Sequence, residues 1–294
     1  MAMLGAPLAL GQPPGTKSLM GWPEAPPRTR KVVIAWCDNR NANQPHTSVS
    51  HAAATIERIG YASGLWDTFI RSDSDMITLE APAVKGQLTL RDADAVFFIG
   101  HRNIALREQQ KSDLLAYVRD QGKGFVAAHT ALTGWSETWP QFTEMLGGFF
   151  DGHPWAGRAG QGRIVNEDPT FPATQHLPRE FVFDDEYYMV KGFNREKARV
   201  LLRMDVSKLP AVHAFERTDN DFPVAWAKAY GKGRVFYGSF AHSVEGWDHP
   251  DIQKLYLEAI KWAMGMTNPD VTPRPVPTGL PGPATPPVPP PTRD

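Results

Sequence analysis

The chain has 294 residues, 41% of them hydrophobic and 21% charged, with a formal net charge of −1. That size can bury one large α/β core, and the near-neutral balance gives no overall pull toward nucleic acid or anionic membrane. One cysteine, Cys37, excludes an internal disulfide and a cysteine-based zinc cluster, and no apolar run reaches bilayer-spanning length.

Met1 to Gln12 are small and apolar without the positive start of a signal peptide. They read as the trailing half of such a peptide, which implies a periplasmic or secreted protein, or as an arm on a cytoplasmic one. Residues 13–30 are rich in Pro and Gly and read as an extended lead-in. Structure is expected from Lys31. Val32 to Trp36 is an apolar strand, a helix capped by Ser48 or Ser50 runs to Ile59 with Gly60 at its end, and a second strand lies at Tyr61 to Trp66. Asp94 to Ile99 is a third strand, ending at Gly100-His101-Arg102-Asn103. An amphipathic helix follows from Arg107 to Asp120, then a buried strand at Phe125 to Ala128 that leads directly into His129. Strands alternating with helices predict a parallel sheet with right-handed crossovers.

A short helix is expected at Trp139 to Leu146, then a glycine-rich loop ending in His153. Strands follow at Gly162 to Asn166, Glu180 to Tyr188 and Ala198 to Met204. A hairpin turns through Tyr230-Gly231-Lys232-Gly233, with His242 close behind its second arm. Pro250 to Met264 is a closing helix stopped by Gly265. The organisation is thus an N-terminal arm over 1–30, one α/β domain over 31–266 and a Pro-rich disordered tail over 267–294.

In open α/β sheets ligands bind beyond the carboxyl ends of the strands. His46, His101 with Arg102, His129, His153 and His242 all fall at strand ends or adjoining loops, and Asp185-Glu186-Tyr187-Tyr188 supplies carboxylates. The ordinary alternative for each histidine is a cap or a buried ring bonded to backbone. His176 reads as structural, and His51, His213 and His249 as surface or capping residues. Imidazoles and a carboxylate in one pocket suit acid–base chemistry or a divalent metal such as zinc with an open position. His129, His153, Glu186 and His242 are the candidate catalytic residues and the candidate metal ligands. His46, His101, Arg102, Trp135, Asp185, Tyr188 and Trp247 are the candidate substrate contacts. Nine tryptophans favour a carbohydrate partner, since aromatic faces stack on sugar faces, and homo-oligomerisation is left open. No phosphate loop, dinucleotide fingerprint, HExxH or nucleophile elbow is present, and Cys37 reads as a small buried hydrophobe.

Four pieces in order resemble the ThuA-like (trehalose utilisation) family: Gly124-Phe-Val-Ala-Ala-His129, Leu146-Gly-Gly-Phe-Phe-Asp-Gly-His153-Pro154, Asp185-Glu186-Tyr187-Tyr188, and Pro223 through His242. His46 is similar to the histidine after that family's first strand, whereas Gly100 to Asn103 is more basic than the family pattern. The resemblance implies a class I glutamine-amidotransferase-like fold: a flavodoxin-like three-layer sandwich with a mostly parallel sheet and a β-rich C-terminal half. It also implies work in carbohydrate catabolism, on glycosides or their 3-keto derivatives. Amidotransferase activity is not expected, because the family lacks the elbow cysteine and no cysteine lies near His129. The alternative is a non-catalytic carbohydrate-binding or regulatory module.

Overall fold

The computed structural model describes residues 29–40, 46–82, 84–100, 104–135, 138–154, 159–208 and 219–281. His101, Arg102, Trp155 and His213 lie outside these. In chain order the elements are β1 (Lys31–Trp36), α1 (Val49–Ser63), β2 (Trp66–Arg71), β3 (Ala95–Phe98), α2 (Glu108–Arg119), β4 (Gly124–Ala128), α3 (Pro140–Leu146) and β5 (Phe149–Phe150). Then come β6 (Ala159–Asn166), β7 (Glu180–Glu186), β8 (Val190–Lys191), β9 (Arg199–Met204), β10 (Phe222–Tyr230), β11 (Gly233–Gly238), α4 (Val244–Asp248) and α5 (Pro250–Ala263).

Among the described residues the main sheet has nine strands in the order β2-β1-β3-β4-β11-β10-β9-β6-β7. The first five run parallel; for β2, β1, β3 and β4 this is what the alternation of strands and helices predicts, whereas β11, read as a hairpin arm, also joins β4 in parallel. The β-rich section continues the same sheet through four antiparallel pairings. Successive side chains on a strand point to opposite faces, and the core follows that rule. Val33, Ala35, Phe97, Val126 and Phe236 join α1, α4 and α5 on one side. Ile34, Trp36, Phe98, Phe125 and Tyr237 join α2 and α3 on the other. Strands covered on both faces must be apolar throughout, which is why β1, β3 and β4 carry no periodic polar residue.

Two expected boundaries move. Helix α1 passes through Gly60 to Ser63 and stops at left-handed Gly64, with φ of 70°. Gly60 is instead the point where the helix crosses the indole of Trp66, and a Cβ there would overlap that ring. The second strand consequently starts at Trp66, where Tyr61 to Trp66 was expected. We expect Gly60→Ala to cost about 1–3 kcal/mol through overpacking, despite its better helix propensity; a melting temperature equal to wild type would contradict this contact.

The start of the segment after Met266 is held by arginine side chains. The Arg234 guanidinium donates to the Thr267 carbonyl at 2.6 Å, Arg199 to the Thr272 carbonyl at 2.7 Å and Arg274 to the Glu167 carbonyl at 3.1 Å. A proline-rich stretch cannot complete its own backbone bonds; here Arg199 and Arg234, rooted in the sheet, supply donors to its carbonyls, and its own Arg274 donates back to the body. Among the described residues no helix is long and apolar enough to cross a membrane.

A candidate His/Glu active site at the sheet rim

Strand direction explains how distant residues reach one rim. Following the pairings from β11 through β10, β9 and β6, the sense reverses four times, so β7 points the same way as β4. Glu186 therefore ends its strand on the rim where His129 ends β4. The two strands are well separated in the sheet order. The antiparallel wing nevertheless closes over this rim: Phe183 and Tyr187 pack on Phe240, just beyond β11, with ring centroids 5.7 and 5.9 Å apart.

Glu186 is the hub. Its Oε2 lies 2.9 Å from His242 Nδ1, 3.1 Å from His129 Nε2 and 3.4 Å from His46 Nε2. Its Oε1 lies 3.7 Å from His153 Nε2. Burial pushes the Glu186 carboxyl up, but hydrogen bonds from His129, His242 and His46 outweigh it and hold the group well below the usual carboxylate range. Burial lowers the pKa of His46, only partly offset by its bond to Glu186. Glu186 is thus an anion, and His46 is biased toward its neutral form.

Backbone fixes the rings. His129 takes a left-handed conformation, φ 37°, directly after β4, an uncommon state for a residue with a side chain. Its Nδ1–H donates to the Ser239 carbonyl at 2.9 Å, so Nε2 is the nitrogen presented to Glu186. Tyr188 stacks on the ring at 4.3 Å between centroids. His153 Nδ1–H donates to the Tyr187 carbonyl at 3.1 Å, which likewise presents Nε2 to the carboxylate. Ser48 donates to the His242 carbonyl at 2.5 Å, tying the loop that carries His46 to the loop that carries His242. The His129 and Glu186 side chains are 1% and 5% exposed, but that of His242 is 38%, so the centre opens toward His242.

Asp185, expected as a substrate contact, works from behind. Its carboxylate accepts from the backbone N–H of Ala241, His242 and Glu186 and is buried. Burial raises its pKa against those bonds and the neighbouring His129. The role is to hold left-handed Ala241 (φ 75°) and so aim His242. Trp247 must also leave the substrate set. It is fully buried on α4, stacked on Tyr256 with centroids 4.8 Å apart. Trp135 is packed among Trp36, Phe98, Trp139 and Phe142, and its indole N–H donates to the Ile104 carbonyl at 3.0 Å. A tryptophan in a loop looks like a sugar platform from sequence, but here both rings fill hydrocarbon layers.

The structure thus brings together His46, His129, His153, Glu186, His242 and Tyr188. His46, Glu186, His129 and His242 each offer a ligand atom within 4.8 Å of the others, the set able to hold a metal ion. Ser239, Ala241 and Tyr237, whose hydroxyl donates to the His129 carbonyl at 3.1 Å, were not legible as site residues. Their only sequence signal is proximity to His242. Elsewhere, His249 caps α5, His51 pairs with Asp248 at 2.8 Å and His176 bonds the Asp251 carbonyl at 3.0 Å. Cys37 is buried, with its thiol pushed up to about 11 by burial and then by Asp38 and Asp73, so no reactive thiolate is presented.

The mixed parallel and antiparallel sheet, with imidazoles and a carboxylate gathered beyond its strand ends, places the chain in the class of mixed α/β proteins. Within that class the chain belongs to the ThuA family, described as trehalose utilisation, whose model matches residues 32–263. The family places it in carbohydrate metabolism. The fold is similar to that of a putative ThuA-like protein from Bacteroides uniformis, at 21% identity and a TM-score of 0.64, covering 82% of this chain and 95% of that one. It is also similar to a putative ThuA-like protein from Parabacteroides merdae, at 18% identity and a TM-score of 0.58, covering 87% and 95%. No curated protein matches the chain.

Proposed function

We propose that the protein is an enzyme of carbohydrate catabolism that acts on glycosides or their 3-keto derivatives by acid–base chemistry at the His/Glu centre. The observation that carries this reading is one ionised carboxylate gripped by imidazoles from distant loops, at the rim where doubly wound sheets bind ligands. The strand order β2-β1-β3-β4-β11, with helices on both faces, supports a flavodoxin-like reading of the parallel half.

A ketone at one sugar carbon makes the adjacent C–H acidic. His153 offers a lone pair at Nε2, because its Nδ1–H is committed to the Tyr187 carbonyl. Proton transfer to that nitrogen leaves the electron pair of the broken C–H bond to form a C=C bond. The glycosidic C–O bond on the next carbon then breaks, and the departing oxygen takes a proton from His242, the most open of the imidazoles. Tyr188 walls the site beside His129 and His153, where it can bear on a sugar face.

Purified protein should release the aglycone from a 3-keto-glycoside, and His153→Ala should slow this about 10²- to 10⁴-fold. Calorimetric sugar binding with no product at any enzyme concentration would instead establish a non-catalytic binding module.

A further inference from the structure

We propose that His46, His129, His242 and Glu186 form a tetrahedral site for one divalent first-row transition ion of zinc's kind, and that His153 stands outside the ligand set. This deepens the reading of the same centre and rests on it only for the substrate. Bonds of about 2.0–2.1 Å from a tetrahedral ion place ligand atoms about 3.3–3.4 Å from one another. Four of the six spacings fall around that edge length, and all four atoms lie within 4.8 Å of one another. Glu186 Oε2 is 2.9, 3.1 and 3.4 Å from the three ring nitrogens, and His242 Nδ1 is 3.3 Å from His129 Nε2.

Hydrogen bonding alone accounts poorly for that cluster. One carboxylate oxygen would accept from three rings at once, and two of the donor nitrogens would face each other at 3.3 Å with their protons crowded together. A cation among the four atoms turns every one of these contacts into lone pairs aimed at a common charge. The His129 ring is already oriented for this: Nδ1–H on the Ser239 carbonyl leaves Nε2 as the donor, the outer bond by which metal-binding imidazoles are fixed. Three imidazoles and a carboxylate, with no thiolate, suit zinc and its neighbours better than magnesium or calcium.

His153 differs in kind. Its Nε2 is nearest the other carboxylate oxygen, Oε1, at 3.7 Å. It therefore borders the site as a base. By expanding to five-coordinate the ion would supply Lewis-acid polarisation of the sugar's carbonyl oxygen, while His153 Nε2 takes the proton.

The test uses the full chain, stripped with a strong chelator and titrated with Zn²⁺ by calorimetry and with Co²⁺ by visible absorption. One ion per chain and the intense bands of low-coordinate Co²⁺ are expected. His242→Ala, at the exposed ligand, and His46→Ala should each weaken Zn²⁺ binding by at least about tenfold, whereas His153→Ala should leave it within about threefold. Absence of stoichiometric Zn²⁺ binding by the folded wild type overturns the proposal. So does a Co²⁺ spectrum that survives both ligand changes but is lost in His153→Ala. Full turnover of a 3-keto-glycoside by metal-free protein also overturns it, without touching the sugar reading. Stoichiometric metal without sugar turnover supports this site and removes the sugar reading instead.

Discussion

Glu186→Gln will leave the fold standing and lower turnover of a 3-keto-glycoside by about 10³-fold or more. The amide keeps the shape of the carboxylate but removes the anion toward which His46, His129 and His242 turn. It also places an NH₂ group, or a neutral oxygen, where three ring nitrogens converge. The loss should lie in the reaction rate more than in sugar affinity, because Tyr188 and the loop walls are untouched. A variant retaining a tenth of wild-type turnover would remove Glu186 from the centre of the chemistry.

The same variant carries a pH signature. The folded-state pKa of Glu186 is depressed, because the imidazole bonds outweigh its burial. A depressed carboxyl contributes stability that is present above its unfolded pKa, roughly 4.3, and is lost as pH falls further toward its folded value. Wild type should therefore lose stability faster than Glu186→Gln as the solution is acidified below that point. Parallel unfolding curves for the two proteins down to acid pH would show that the carboxylate gains nothing from its neighbours.

Asp185→Ala will destabilise the fold by about 3–5 kcal/mol, the largest stability loss expected of any single change at the site. Three backbone N–H groups, of Glu186, Ala241 and His242, donate to this one buried carboxylate. Alanine leaves all three without that acceptor, and each buried orphan costs on the order of 1–3 kcal/mol. Ala241 also loses the clamp that holds it in the left-handed region, so the loop relaxes and His242 swings from Glu186. Chemical denaturation gives the stability loss. Crystallography or the Co²⁺ spectrum reads the displaced ring. Asp185→Asn, which keeps one oxygen acceptor, should fall between alanine and wild type. A loss below about 1 kcal/mol for Asp185→Ala would mean that water replaces the carboxylate, and that Asp185 does not position the loop.

Sequence by itself determined the parallel half of the fold, because apolar runs, helical periodicity and turn residues act locally and leave their period in the chain. It also determined that His129 and His242 follow strands closely and that His153 ends a glycine-rich loop. It misjudged Gly60, since a glycine that makes room for Trp66 looks the same as one that ends a helix. It misjudged Trp135 and Trp247 because exposure is not written in residue type. Only the tertiary structure decided that Glu186, at the end of the sheet's outermost strand, meets histidines from four separate loops. That meeting depends on four reversals of strand sense and on the wing's closure over Phe240. It likewise decided that Asp185 faces backward into the protein while its neighbour faces the pocket. Side chains adjacent in a strand point to opposite sides, and which side becomes the site is set by contacts far away in the chain.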